Sequence, residues 1–502
     1  MIKMKPLPTV LLALLSGCSL IPAYHRPAMS VSPSYPVVSK GSAPAAYDIG
    51  WAQFFKDPAL QQLITLGLAN NRNLRVSILN VEQAQAQYRL SRASLFPTIS
   101  GNASFERTHT PANLSAVPNF REYSLGAQAV SWELDLFGKI RSTAEANRQL
   151  YLSKAYTSEA TRMALVTQIA AQYYTWQADR EALQIAQSAA AADLHSLNLV
   201  QLELQNGVGN AMTVAQSQST YDTAQTNVAQ YQRQVAQDMD GLVLLVGTPL
   251  SPSLVEQMEA INGLSAEPPL PVVPAGLPSD LLTRRPDIQA AEHALLSANA
   301  NIGAARAAFF PSISLTASGG ISSPSLDSLF TGGQGAWTFE PQITIPIFTG
   351  GENIANLDIA KIEKKIQIAD YQETIQSAFR DVSDALSARQ TYDSEVQSQQ
   401  DLVNASTKYY NLAQMRFQAG VDSYLNVLVA QDSLLTAQLN LVKLQLAQQQ
   451  NAITLYNALG GGWEAEGPAD QTSAAPSQVH PQKPASEINS MPKTSPRPLV
   501  AD

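Results

Sequence analysis

Phe96-Pro97-Thr98-Ile99-Ser100 recurs as Phe310-Pro311-Ser312-Ile313-Ser314, an offset of 214 positions (310 − 96). The same offset carries Arg92 onto Arg306, Ala93 onto Ala307 and Leu74 onto Ile288. Downstream, Asn206-Gly207-Val208 meets Ala419-Gly420-Val421 at an offset of 213, which also places Gln218 on Gln431 and Gly247 on Gly460. Markers this far apart with nearly one offset define an internal duplication, each copy about 200 residues long.

Both copies read in the same order, the first over 58–247 and the second over 280–463. A helical segment (58–94, 280–308) runs into the Phe-Pro stop, where the chain must turn extended because Pro cannot continue a helix. Two strands follow, near 97–107 and 120–133 in the first copy and near 311–321 and 335–347 in the second. Then comes a very long helix (138–205, 351–418), a break at 207–210 or 420–424, and a returning helix that ends at Gly247 or Gly460. A Pro-rich linker, 248–279, joins the copies. The tail, 464–502, is Pro-, Ser- and Ala-rich without apolar periodicity and is expected to be disordered.

The strands alternate with period two: Ile99, Gly101, Ala103 and Phe105 against Thr98, Ser100, Asn102 and Ser104, and Trp337, Phe339, Ile343, Ile345 and Ile347 against Thr338, Glu340, Gln342 and Thr344. Period two alone also suits a soluble half-buried sheet. Strands of about ten residues, however, are long enough to cross a bilayer when tilted, and Trp337 and Phe339 suit an interfacial aromatic girdle. No later segment is apolar for long enough to be a transmembrane helix, so a membrane-spanning form must be a β-barrel. Four strands cannot close one, since the smallest outer-membrane barrels have about eight. Several protomers must therefore contribute, eight strands as a dimer or twelve as a trimer.

The long helices carry coiled-coil spacing at Leu183, Ala186, Ala190, Leu194 and Leu197, and at Ile368, Tyr371, Ile375, Phe379, Val382 and Leu386. A helix of this length extends on the order of 100 Å at ~1.5 Å per residue, so it must pack lengthwise against others. The remaining faces are rich in Gln, Ser and Asn. They suit either an ordinary solvated face or the wall of a wet conduit.

Only 15% of the 502 residues are charged, with a net charge of −9, which leaves no basic stripe for nucleic acid. His25, His109, His195, His293 and His480 are scattered and form no metal-binding spacing. Gly460-Gly461-Gly462 lacks the Lys-Ser/Thr of a phosphate loop. Asp381 and Asp384, one turn apart, are expected to be solvated helix charges. No catalytic residue, metal site or cofactor is expected.

At the N-terminus, Lys3 and Lys5 precede a short apolar run, Leu7 to Leu15, and then Leu15-Ser16-Gly17-Cys18. This is a lipoprotein signal peptide over 1–17, too short to span. Cys18, the sole cysteine, becomes the acylated first residue of a lipidated segment, 18–57, anchored by several chains. Ser19 fits retention in the outer membrane.

Ser131-Trp132-Glu133-Leu134-Asp135-Leu136-Phe137-Gly138-Lys139-Ile140-Arg141, Arg284-Arg285-Pro286-Asp287-Ile288, Ala307-Ala308-Phe309-Phe310-Pro311-Ser312-Ile313-Ser314, Phe417 to Gln431 and Leu459-Gly460-Gly461-Gly462-Trp463 together resemble the outer-membrane efflux factor family, in its TolC/OprM/NodT-type lipoprotein branch. The resemblance covers about 18–463. It implies an α+β membrane protein that forms a homotrimer: a twelve-stranded outer-membrane barrel, four strands per protomer, continuous with a long periplasmic α-helical barrel. Residues 18–57 and 248–279 would form an equatorial belt. The implied function is the passive exit duct of a tripartite efflux pump, with a periplasmic adaptor and an inner-membrane pump, commonly a proton-driven exporter of the RND type. The outlet of an ABC-type or type I secretion exporter is the alternative, and a pore-less coiled-coil lipoprotein a more distant one.

The resemblance places adaptor-contacting tips at Gly207, Val208 and Gly209 and at Gly420, Val421, Asp422, Ser423 and Tyr424. It places the periplasmic aperture at Arg416, Phe417, Leu425 and Val429. Where many members carry an Asp in Leu-Asp-Ala-Gln, this chain has Leu428-Val429-Ala430-Gln431, and Phe417 stands where a Tyr is common. The expectation is therefore an apolar closure by Leu425 and Val429 that excludes ions by dewetting, with Arg416 free to pair with a neighbouring helix.

Overall fold

The computed structural model describes residues 19–28, 31–35, 49–111, 119–261, 263–264, 270–271, 273–274 and 281–461. The signal peptide, Cys18, much of the linker and the tail lie outside these residues.

The first copy begins with α1 (Trp51–Phe54), α2 (Pro58–Asn70) and α3 (Arg72–Ala93). The single helix expected over 58–94 is thus two. Asn71 takes an extended backbone and caps α3, its side chain accepting from Leu74 N at 2.9 Å. The strands β1 (Ile99–His109) and β2 (Asn119–Leu134) lead to α4 (Lys139–Gln205), which returns as α5 (Ala211–Val246). A short helix α6 (Pro252–Glu259) precedes the second copy: α7 (Leu281–Arg284), α8 (Pro286–Ala307), β3 (Ser312–Ser323), β4 (Gly335–Thr344), α9 (Glu352–Gln418) and α10 (Tyr424–Ala458). Here too the expected helix over 280–308 is broken, at Arg285. Strand β4 stops at Thr344, short of the expected 347, with Pro346 following. Among the described residues no helix is long and apolar enough to cross a membrane.

The four strands form one antiparallel sheet in the order β1-β2-β3-β4, and its two outer edges are unpaired within the chain. Ser104–Ser124 and Ser318–Thr338 bridge neighbouring strands on the polar face at 2.7 Å each. Phe105 lies against Tyr123 on the other face. That face is bare: Trp337 is 78% exposed and Phe339 61%.

The turn from sheet to helix explains the Asp135-Leu136-Phe137-Gly138 motif. Gly138 sits at φ 75°, a left-handed conformation that turns the chain into α4. The Asp135 carboxylate accepts from Ile140 N at 3.0 Å and Arg141 N at 2.9 Å and pairs with the Arg141 guanidinium at 3.0 Å. Phe137 stacks on Phe310, which links the two copies at the base of the sheet.

The core lies where helices of both copies converge. Tyr173, Tyr174, Trp176 and Ile169 of α4, Tyr371 and Ile375 of α9, and Tyr456 of α10 bury against Phe54, Phe55 and Leu60. Asn71 donates to Leu245 O at 2.8 Å, and Arg285, 214 residues on, donates to Ala458 O at 3.2 Å. In each copy the helix break is thereby tied to the end of the returning helix. The seam expected on α9 is buried at Tyr371, Ile375, Val382 and Leu386. On α4 the expectation needs correction: Leu194 is exposed and Asp193 buried, so the seam reads Ala186, Ala190, Asp193, Leu197 and Val200. Asp381 is paired with Arg380 at 2.8 Å and approaches Arg285 at 3.9 Å.

Candidate functional site

The two helix reversals are built alike. At the first, Gly207 (φ 78°) donates to Leu204 O at 3.0 Å while Val208 donates to Glu203 O at 3.0 Å. At the second, Gly420 (φ 69°) donates to Phe417 O and Val421 to Arg416 O, both at 2.9 Å. This paired pattern satisfies the last free carbonyls of a helix and needs a residue that tolerates positive φ. Asn210 then caps α5 by accepting from Thr213 N at 2.9 Å.

The second tip differs from expectation in two ways. Arg416 is engaged within its own turn. Its guanidinium pairs with the Asp422 carboxylate of its own turn and holds that carboxyl below the usual range. Tyr424 is not a turn residue but the first residue of α10, and it is buried. Its ring packs on Phe417, centroids 5.3 Å apart, and its hydroxyl meets Ser217 Oγ at 3.1 Å. Tyr424 therefore fastens the second hairpin to the first, within a small core of Val200, Ala413, Val427 and Ala430. It is not part of the outward surface.

That surface consists of Val208, Met212, Val421, Leu425 and Val429, all at least half exposed. The tips thus present apolar side chains on a frame locked by polar contacts. Met212 was not singled out in the sequence, although it lies one residue into α5 beside the first turn. Leu425 and Val429, four residues apart, share one face of α10.

At the opposite end, residues 19–22 lie along α8. Arg306 donates to Leu20 O at 3.2 Å and Asn299 to Pro22 O at 2.9 Å. Arg26 pairs with the buried Glu292 at 2.7 Å, to which Tyr24 also donates. The first described residues thus run beside the end of α8, which leads directly into β3.

The sequence matches the family described as outer membrane efflux protein over residues 63–248 and again over 277–461. The chain belongs to that family. This outer membrane efflux protein is 46% identical over 470 residues to the probable efflux pump outer membrane protein TtgC of Pseudomonas putida, covering 92% of this chain and 96% of the relative. It is 40% identical over 463 residues to the cation efflux system protein CusC of Escherichia coli, covering 92% and 99%. Its fold matches the open-state crystal structure of the Neisseria gonorrhoeae MtrE outer membrane channel with a TM-score of 0.82 and 38% identity, over 89% of this chain and 99% of that one. The protein is accordingly an efflux channel component of the outer membrane, as the resemblance of its motifs led one to expect.

Proposed function

We propose that the protein is a homotrimeric exit duct, built from a duplicated unit, that passively conducts drugs or other small molecules out of a tripartite pump. The reading rests on one observation above all: a four-stranded sheet with an apolar outer face and two unpaired edges. Unpaired backbone groups are not tolerated in hydrocarbon, so β1 and β4 must pair with copies of this chain. Twelve strands close a barrel of ordinary size. The exposed apolar tips seat a periplasmic adaptor, and through it an inner-membrane pump of the RND type. The antibiotic efflux pump outer membrane protein ArpC and the solvent efflux pump outer membrane protein SrpC, 46% and 42% identical to this chain, support a drug or solvent exporter. The duct has no chemistry of its own.

Cys18 carries the lipid anchor. The course of residues 19–22 beside the start of β3 supports this, because it brings the chain's start to the foot of the sheet. Leu425 and Val429 line the periplasmic aperture, with Arg416 and Phe417 holding the turn behind them.

The test is extraction of the full-length protein from outer membranes, followed by electrophoresis with and without heating and by recording in planar bilayers. Heat-sensitive trimers that conduct support the duct. A monomer absent from the outer membrane refutes it. Mass spectrometry of the mature N-terminus tests the anchor, and an unmodified Cys18 refutes that part alone.

A further inference from the structure

Besides the Tyr424–Ser217 contact nearer the tips, the coiled-coil seam joining the two hairpins holds a buried acid–amide pair. Asp193 of α4 is 4% exposed and Gln431 of α10 7% exposed. They sit 238 residues apart, with Gln431 Nε2 donating to Asp193 Oδ1 at 2.8 Å. The other amide atom, Gln431 Oε1, is buried and has no partner. Above and below in the seam are Ala186, Ala190, Leu197, Val200 and Val427, all apolar. A buried carboxylate beside an orphaned amide carbonyl is an incomplete pairing, since an ionised acid has no proton to give the carbonyl. One added proton completes it. The neutral acid donates O–H to Gln431 Oε1 while still accepting from Nε2, which gives two reciprocal bonds in place of one.

We propose that Asp193 and Gln431 form a proton-dependent latch that holds the two hairpins together beside the aperture, tight when the acid is neutral and loosened when it ionises. The position suits that role. Gln431 lies two residues beyond Val429, and both line a groove of about 400 Å³ between the hairpins. Water entering that groove would hydrate the carboxylate as the hairpins part.

The surroundings contain no compensating cation among the described residues. Tyr410 of α9 is near enough for the carboxylate to disfavour its ionisation. Asp432 of α10 lines the same groove, and α5 contributes Ser219, Thr220, Thr223 and Asn227, none of them charged. Burial accordingly pushes the Asp193 carboxyl up to about 6, against a smaller opposing effect of the Gln431 hydrogen bond. The latched state binds the proton more tightly than a hydrated state does. Latching is therefore fully favoured below the ordinary Asp value of about 4 and is lost as pH rises through 6. Between pH 5 and pH 7 the latched-to-parted ratio should fall about tenfold per protomer, toward a limit of about 100-fold.

The inference rests on the duct reading only for its consequence, so the test has two arms on the full-length trimer. Hydrogen–deuterium exchange, corrected for intrinsic rates, follows peptides around 190–197 and 428–435 from pH 5 to 7.5. In the wild type, opening of both should increase about tenfold over that interval. Asp193→Asn, which mimics the neutral acid, should stay protected throughout. Gln431→Met, which removes both bonds of the closed latch, should open more readily than the wild type already at pH 5. A wild type without the rise, or an Asp193→Asn variant that keeps it, overturns the latch. So does a Gln431→Met variant as protected at pH 5 as the wild type, which would mark the pair as a register device only. In the second arm the same proteins are recorded in planar bilayers, where open time should track the exchange profile. No current from any variant at any pH overturns the duct and leaves the exchange result standing.

Discussion

Gly420 and Gly460 both adopt left-handed backbone, at φ 69° and 75°, yet replacing them with Ala should have different costs. At Gly420 a Cβ would meet nothing within 4 Å, so the substitution costs only the conformational strain of a non-Gly residue, roughly 1–2 kcal/mol. At Gly460 the Cβ would lie 2.4 Å from Arg284 O. That carbonyl has little room to retreat. The next residue, Arg285, is hydrogen-bonded through its backbone to Leu281 O at 3.1 Å and through its side chain to Ala458 O at 3.2 Å, and it pairs with Asp287 at 2.6 Å. Forcing it aside adds about 1–3 kcal/mol, the usual cost of overpacking, for a total of about 2–5 kcal/mol. The assay is urea unfolding of the purified protein, followed by circular dichroism. Midpoints are compared, since a protein of this size does not unfold in one step. Gly460→Ala should unfold well before the wild type, and Gly420→Ala close to it. Equal midpoints for the two variants would refute the claim that the Arg284–Arg285 break is a rigid anchor for the returning helix.

Asp135→Ala should lower stability by about 1–2 kcal/mol, because it strips two backbone donors of their cap at the start of α4; thermal melting measures it. Tyr424→Phe and Ser217→Ala should each cost about 1 kcal/mol and be strongly non-additive, since both remove the same hydrogen bond between hairpins. Additive effects in a double-mutant cycle would show that the bond is not formed. Val429→Asp should add a ring of three carboxylates at the aperture of a trimer and raise cation selectivity in single-channel recording. Strong cation selectivity already present in the wild type would contradict an apolar closure by Leu425 and Val429.

Much of this molecule was legible in its sequence because the deciding signals are local. Phe96-Pro97 and Phe310-Pro311 end helices by removing a backbone donor wherever they occur. Gly207 and Gly420 mark reversals because positive φ is a property of one residue and its neighbours. Strand alternation reports which face is apolar without reference to what covers it. The breaks at Asn71 and Arg285 were overlooked although both carry local marks: Asn71 is a favoured N-cap, and Pro286 drives Arg285 out of the helical region and starts α8. Each side chain also meets the returning helix, 174 and 173 residues further on.

The sequence by itself therefore determined the recurrence of motifs, the order of helices and strands and the two reversals. Only the tertiary structure decided which side chains face each other along the long helices: Asp193 rather than Leu194 in the seam, Tyr424 turned inward, Arg416 closed onto Asp422. The physical reason is that burial on a helix face is settled by what the face meets. Asp193 and Leu194 are neighbours that could each enter the seam, and it is Gln431, 238 residues away, that meets Asp193 there.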